Sequence, residues 1–230
     1  METPTEGEQS LPGLEPETEG KESPPRADRR RRPERKIEIL QAVSSLMEEG
    51  GRKVTTAAVA ERLGLSEAAL YRHFRGKEAM FQALGEYLES HLLHPVNQMM
   101  DSGESALTQL ARLFDYHLRF FDEHPGLCRL FLVEGVSGEA ASIGVRMVAL
   151  HRKYTSQVKQ LLRRGQAEGE IPPHLPVESA ALLFVGLIQA RTLQYIVSGF
   201  QDHPPRHGSE WWNFFLRAIL FSETVHANDD

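Results

Sequence analysis

The sequence predicts an all-α fold, with a three-helix helix-turn-helix domain near the N-terminus and a larger helical domain after it. Three observations predict this. Apolar residues return at the period of an amphipathic helix, as in Ile37, Leu40, Val43 and Met47 or in Leu107, Leu110, Leu113, Phe114, Leu118 and Phe121. Glycine and proline pairs punctuate these runs at Gly50-Gly51, Pro125-Gly126 and Pro172-Pro173, where helices end. Between Val54 and Lys77, VTTAAVAERLGLSEAALYRHFRGK reads as two short helices joined by very few residues, one of them glycine. That is the arrangement whose second helix enters the major groove of DNA.

From Met1 to Asp28 the chain is rich in Glu, Pro, Gly, Ser and Thr and carries almost no large apolar side chains, so it is expected to form a disordered acidic tail. Arg29 to Lys36 follows as a basic arm, with Pro33 placed to start a helix over about 34–49. Such an arm can lie along phosphates or enter the minor groove. A solvated charge run has the same composition.

In the helix pair, Thr55 or Thr56 can cap a helix that turns Val59, Ala60 and Leu63 inward, and Gly64 stops it. Ser66 caps the next helix, SEAALYRHF. Leu70 and Phe74 share one face of that helix, while Ala68, Tyr71, Arg72 and Arg75 lie on the other. Ala68 allows close approach and contact with a thymine methyl, Arg72 can bind guanine in bidentate fashion, and Tyr71 can donate to a phosphate. Lys77 and the two threonines suit phosphate anchoring. An ordinary helical hairpin with a solvated basic face shows the same spacing.

Charge is distributed to match. Residues 1–28 hold eight acids and two bases, residues 29–77 hold twelve bases and six acids, and the remainder holds eighteen acids and twelve bases. The net charge of −6 therefore says nothing against DNA binding, because the basic block coincides with the helix pair.

The pattern TT…A..LG.S...LY.HF..K, carried here by Thr55, Thr56, Ala60, Leu63, Gly64, Ser66, Leu70, Tyr71, His73, Phe74 and Lys77, closely resembles the DNA-binding domain of the tetracycline-repressor (TetR) family of bacterial regulators. The resemblance implies a DNA-contacting set of Thr55, Thr56, Ser66, Glu67, Ala68, Tyr71, Arg72, His73 and Lys77. It implies a domain division at 1–28 (tail), 29–77 (arm and helix-turn-helix) and 78–230 (ligand binding and dimerisation). The implied function is that of a homodimeric repressor released from a palindromic DNA operator by a small apolar effector, working in the cytoplasm at the nucleoid. SEAALYRHF and HPGLCRL are also similar to the nucleoid-occlusion branch of the family, which implies an alternative role as a DNA-bound inhibitor of FtsZ assembly and cell division.

A fourth helix carries Met80, Phe81, Leu84, Leu88 and Leu92 and is expected to break at Pro95. The family resemblance gives this helix the task of linking the two domains, and places the HPGL phrase (124–127) at a bend beside an aromatic space. Phe114, His117, Phe121, Leu130 and Phe131 are accordingly the candidate ligand-lining residues, although core packing yields the same spacing. Further helices are expected over about 105–122, 127–136, 139–168, 177–200 and 209–225. The last two are apolar enough to need a second copy, with Gly186 and Ala190 permitting close helix approach. Covering the core of a monomer is the ordinary alternative.

No catalytic chemistry is indicated. The sequence holds no glycine-rich phosphate loop, nucleophile elbow or HExxH motif. His91 and His94 have metal-ligand spacing but no evident third ligand, and the single cysteine, Cys128, sits among apolar residues as a buried side chain would. No enzyme, cofactor, metal or membrane partner is expected; the longest charge-free apolar run, 180–190, is too short to span a bilayer.

Overall fold

The computed structural model describes residues 26–49, 54–100, 102–134 and 141–221, so the acidic tail apart from its last three residues, Gly50-Gly51 and the end of the expected last helix lie outside the described residues. The described residues form α1 (Arg26–Glu49), α2 (Thr56–Arg62), α3 (Glu67–Tyr71), α4 (Lys77–Met100), α5 (Ala106–Glu123) and α6 (Pro125–Arg129). A π-helical turn, Leu130–Glu134, continues α6, and α7 (Ala141–Ala167), α8 (Val177–Val197) and α9 (Gly208–Leu220) complete the chain. The described residues contain no strand.

Local chemistry sets most boundaries. The Thr55 and Ser66 hydroxyls accept from the amides of Ala58 (3.1 Å) and Ala69 (3.2 Å), capping α2 and α3. Gly64, at φ 62°, closes α2 with paired bonds from its own amide to Glu61 O (3.1 Å) and from the Leu65 amide to Ala60 O (2.9 Å). Gly169 does the same for α7.

Three elements depart from the sequence expectation. α1 starts at Arg26, so the basic arm is helical and Pro33 lies inside the helix rather than in its first turn. Arg and Glu are good helix formers, and their propensity outweighs the single backbone bond that Pro33 cannot donate. α3 is shorter than SEAALYRHF: after Tyr71 the chain tightens, with the His73 amide bonding Leu70 O at 2.9 Å, before Gly76 turns it at φ 99°.

α4 does not break at Pro95. The proline leaves the His91 carbonyl without its usual helical donor, and the Tyr116 hydroxyl of α5 donates to it instead at 3.2 Å. One residue along, the Leu92 carbonyl lies 3.3 Å from His117 Nε2. The lost helical bond is thus replaced from the neighbouring helix, and α4 reaches Met100.

The first four helices share one core built on Ile39, Val43, Leu46, Val59, Leu70 and Met80. α4 runs on from it into the second half, where it packs against α5 and α7, while α1 packs on α6. α8 is long and apolar enough, by length and composition, to cross a bilayer. Its Phe184, Val185, Ile188 and Tyr195 are nevertheless buried, and it packs on α5 and α7 as a core helix does. Its one arginine, Arg191, is buried and pairs with Asp202 at 3.3 Å.

Candidate nucleic-acid interface

α2 and α3 are fixed relative to each other and to α1 by side-chain bonds. The Thr56 hydroxyl donates to the Glu67 carboxylate at 2.7 Å across the turn. Arg62 reaches back to α1, donating to the Ser45 hydroxyl (2.8 Å) and the Glu49 carboxylate (2.5 Å). Leu70 and Phe74 then drop into the core, and Lys36 lies over the Phe74 ring at 5.7 Å from its centroid.

What remains outside is an exposed basic face. Ala68, Tyr71, Arg72 and Arg75 are all exposed, and Tyr71 keeps 51% of its surface in solvent although it is aromatic. An exposed aromatic hydroxyl beside two free-standing guanidinium groups suits a surface that meets phosphates and base edges.

The nine candidate contact residues divide by role. Thr55, Thr56, Ser66 and Glu67 build the turn, yet each capping hydroxyl keeps its own hydrogen for an outside acceptor such as a phosphate oxygen. Ala68, Tyr71 and Arg72 face outward; His73 is half-buried at the turn after α3; Lys77 opens α4, its ammonium 5.3 Å from the Phe81 ring centroid. Sequence reasoning did not find the Thr56–Glu67 bond or the Arg62 tether, because their partners are eleven and more positions apart and no local pattern marks them.

α4 runs from the DNA-binding half into the rest of the chain, and it is held along its exposed flank. Arg146 of α7 meets Glu89 (3.0 Å) and Glu86 (3.3 Å), and Lys153 meets Glu89 at 2.6 Å. The Lys153 hydrogen bond, helped by the nearby Arg146 charge, lowers the Glu89 carboxyl below its ordinary pKa.

The five candidate ligand-lining residues lie in the packed interior. Phe114, His117, Phe121 and Leu130 are fully buried, and Phe131 stacks on Phe121 with centroids 5.5 Å apart. Phe114 meets Phe184 and Trp212, which closes the space toward α8 and α9. Burial lowers the His117 pKa to about 4, against two backbone carbonyls that favour its protonated form, so the ring is neutral near pH 7. Two cavities lined by described residues lie away from these five. One lies instead between α1, α4 and α6, and the other beside Arg191 and Trp211. Among the described residues no three or more His, Cys, Asp or Glu side chains gather to hold a metal; His91 is occupied in stacking on Tyr87 at 3.9 Å.

A capped helix pair with a basic outer face, joined by one long helix to an all-helical second domain, defines a helix-turn-helix DNA-binding regulator. Residues 39–84 match the bacterial regulatory proteins of the tetR family, and residues 104–220 match the tetracyclin repressor-like C-terminal domain. The chain is 33% identical to the nucleoid occlusion factor SlmA of Shewanella amazonensis and 29% identical to that of Marinomonas sp., in each case over 82% of this chain and 96% of the relative. Its fold superposes on the MbdR regulator of Azoarcus sp. CIB with a TM-score of 0.71 at 21% identity, covering 80% of this chain and 97% of that one. The chain belongs to the TetR family: it is a DNA-binding regulator and not an enzyme.

Proposed function

We propose that two copies of the chain bind a palindromic operator and repress transcription, placing one α3 in each of two successive major grooves, until a small effector with an apolar body shifts α4 and separates them. The outward set Ala68, Tyr71, Arg72 and Arg75 above a fully packed Leu70 carries this reading. Arg72 reads a base edge, Tyr71 and Lys77 anchor phosphates, and Thr55, Thr56, Ser66, Glu67 and His73 shape and support the turn. Dimer half-sites require recognition helices about 34 to 36 Å apart, so a modest tilt of α4 is enough to remove one of them from its groove. The basic arm, Arg29 to Lys36, belongs to the same helix, α1, that supports this domain, and it adds sequence-independent affinity. Cytoplasmic, nucleoid-associated residence follows from such a partner.

A second reading is favoured by the full-length relatives, which are named as nucleoid occlusion factors. In it the dimer occupies many chromosomal sites and restrains FtsZ assembly there. A genome-wide map of bound sites in the native cell, with Arg72→Ala as control, separates the two. One or two palindromes beside a regulated operon support the repressor. Dozens of dispersed sites support nucleoid occlusion. A wild-type map identical to that of Arg72→Ala would remove the assigned reading face.

A further inference from the structure

The cavity between α1, α4 and α6 lies where the DNA-binding half meets the rest of the chain, and its chemistry differs from that of the aromatic interior. It encloses about 290 Å³. Leu40 of α1, Leu84 of α4 and Leu127 of α6 contribute apolar surface, and the half-buried Tyr87 adds a ring whose hydroxyl lies 3.3 Å from His124 Nε2. Two carboxylates stand in its lining, Glu48 from α1 and Glu123 from the end of α5. Both are exposed, and neither forms an ion pair among the described residues, Arg119 only feeling the Glu123 charge from one turn back on α5, whereas Glu86 and Glu89 of α4 are matched to Arg146 and Lys153. None of the described residues lining the cavity is Lys or Arg.

An apolar floor, an aromatic face and two unmatched carboxylates together select one class of occupant. A neutral apolar molecule would leave the carboxylates unused, and an anion would be repelled by both. From this geometry we infer that the cleft binds a small organic cation with an apolar body, seated on Leu40, Leu84 and Leu127, its charge between Glu48 and Glu123 and near the Tyr87 ring. Glu48 rides on the DNA-binding half and Glu123 on the other, so a cation bridging them is sensitive to the relative position of α1 and α6. Occupancy is therefore linked to DNA affinity, and DNA changes affinity for the cation by the same factor. Only this linkage rests on the reading as a DNA-binding regulator; cation binding does not.

The test is titration calorimetry of the full chain with 4-phenylbutylammonium, and with 4-phenylbutyrate as the matched anion. The expected result is one cation bound per chain, no detectable binding of the anion, and affinity weakened about tenfold in a Glu48→Gln, Glu123→Gln variant. Both substitutions are at exposed positions, and an unchanged thermal midpoint shows that the variant is folded. Equal binding of cation and anion, no binding of either, or undiminished affinity in the double variant would overturn the site. DNA titrations on the same preparation separate the two layers. Cation binding by a chain that does not bind DNA supports the cleft and removes the regulatory reading; cation binding with DNA affinity unchanged overturns the linkage alone.

Discussion

At Gly126 the α6 backbone lies so close to α1 that a Cβ would overlap the Ser44 carbonyl and hydroxyl. The two halves of the chain therefore meet almost backbone to backbone, beside the cleft that Ser44 also lines. Gly126→Ala must push α1 away and is expected to cost about 1 to 3 kcal/mol or more, since overpacking against backbone has no side chain to give way. Gly85→Ala is the control: its Cβ would press on the Arg146 side chain, which can swing aside at some cost to its pairs with Glu86 and Glu89, and this offsets about 0.5 to 1 kcal/mol of helix preference so that the net change is small. Equal thermal midpoints for Gly126→Ala and the wild type would show that α1 and α6 are not packed as described. A second residue-scale prediction concerns His117, whose pKa falls from 6.5 to about 4 on burial. The unfolded chain binds the extra proton more readily, so this group destabilises the fold progressively as pH drops from about 6.5 through about 4, by on the order of 3 kcal/mol in full. Above pH 6.5 it has no effect of this kind. Denaturant titrations between pH 7 and 4 should show His117→Gln with a shallower loss of stability than the wild type; parallel slopes would mean that the imidazole is not held neutral.

Pro95 shows why element boundaries read from local pattern can fail. Sequence alone marks a proline as a helix end, because its missing amide strands a carbonyl four residues back. Here the carbonyl of His91 is served by Tyr116, twenty-five positions away, and no period in the sequence announces that partner. The prediction is a coupling. Tyr116→Phe should cost about 1 to 3 kcal/mol by stranding the His91 carbonyl, and much less in a Pro95→Ala background, where a helical amide returns to it. Additive effects in the double-mutant cycle would refute the substitution of one bond for the other. The capped termini, by contrast, were legible, since Thr55, Ser66, Gly64 and Gly169 act on amides and carbonyls within one turn of themselves. The division of faces around α3 was legible for the same reason: Leu70 and Phe74 inside with Ala68, Tyr71 and Arg72 outside is a four-residue periodicity. The aromatic interior was not resolvable into core or pocket, because Phe114, His117 and Phe121 have one spacing in both cases. The cleft between α1 and α6 was hidden altogether. It is assembled from four helices, and the close approach of α1 to Gly126 carries no local signature in the sequence.

Taken whole, the chain leaves one surface unexplained by its own fold. On α8, Leu182, Leu193 and Val197 are exposed along a stripe that includes Gly186, beside whose Cβ position nothing lies within 4 Å. On α9, Trp211 and Phe214 are exposed, and Phe214 retains 67% of its surface in solvent. These positions recur at helical intervals on two helices that pack together, so each helix presents an exposed apolar stripe rather than scattered side chains. A second copy of the same face would cover them as a two-fold four-helix arrangement, with Gly186 and Ala190 allowing the helices to approach closely. DNA affinity then depends on this face without touching DNA, because two linked half-sites gain through effective concentration what one short helix lacks. Val197→Glu with Phe214→Glu places like charges opposite their own copies and should convert a dimer to a monomer in sedimentation equilibrium. Binding to a palindromic site should weaken by at least about 100-fold, while binding to an isolated half-site stays nearly unchanged. A variant that remains dimeric would show that the subunits pair through some other surface. A variant that is monomeric yet binds the palindrome as tightly as the wild type would show that α3 reads its site without a second copy.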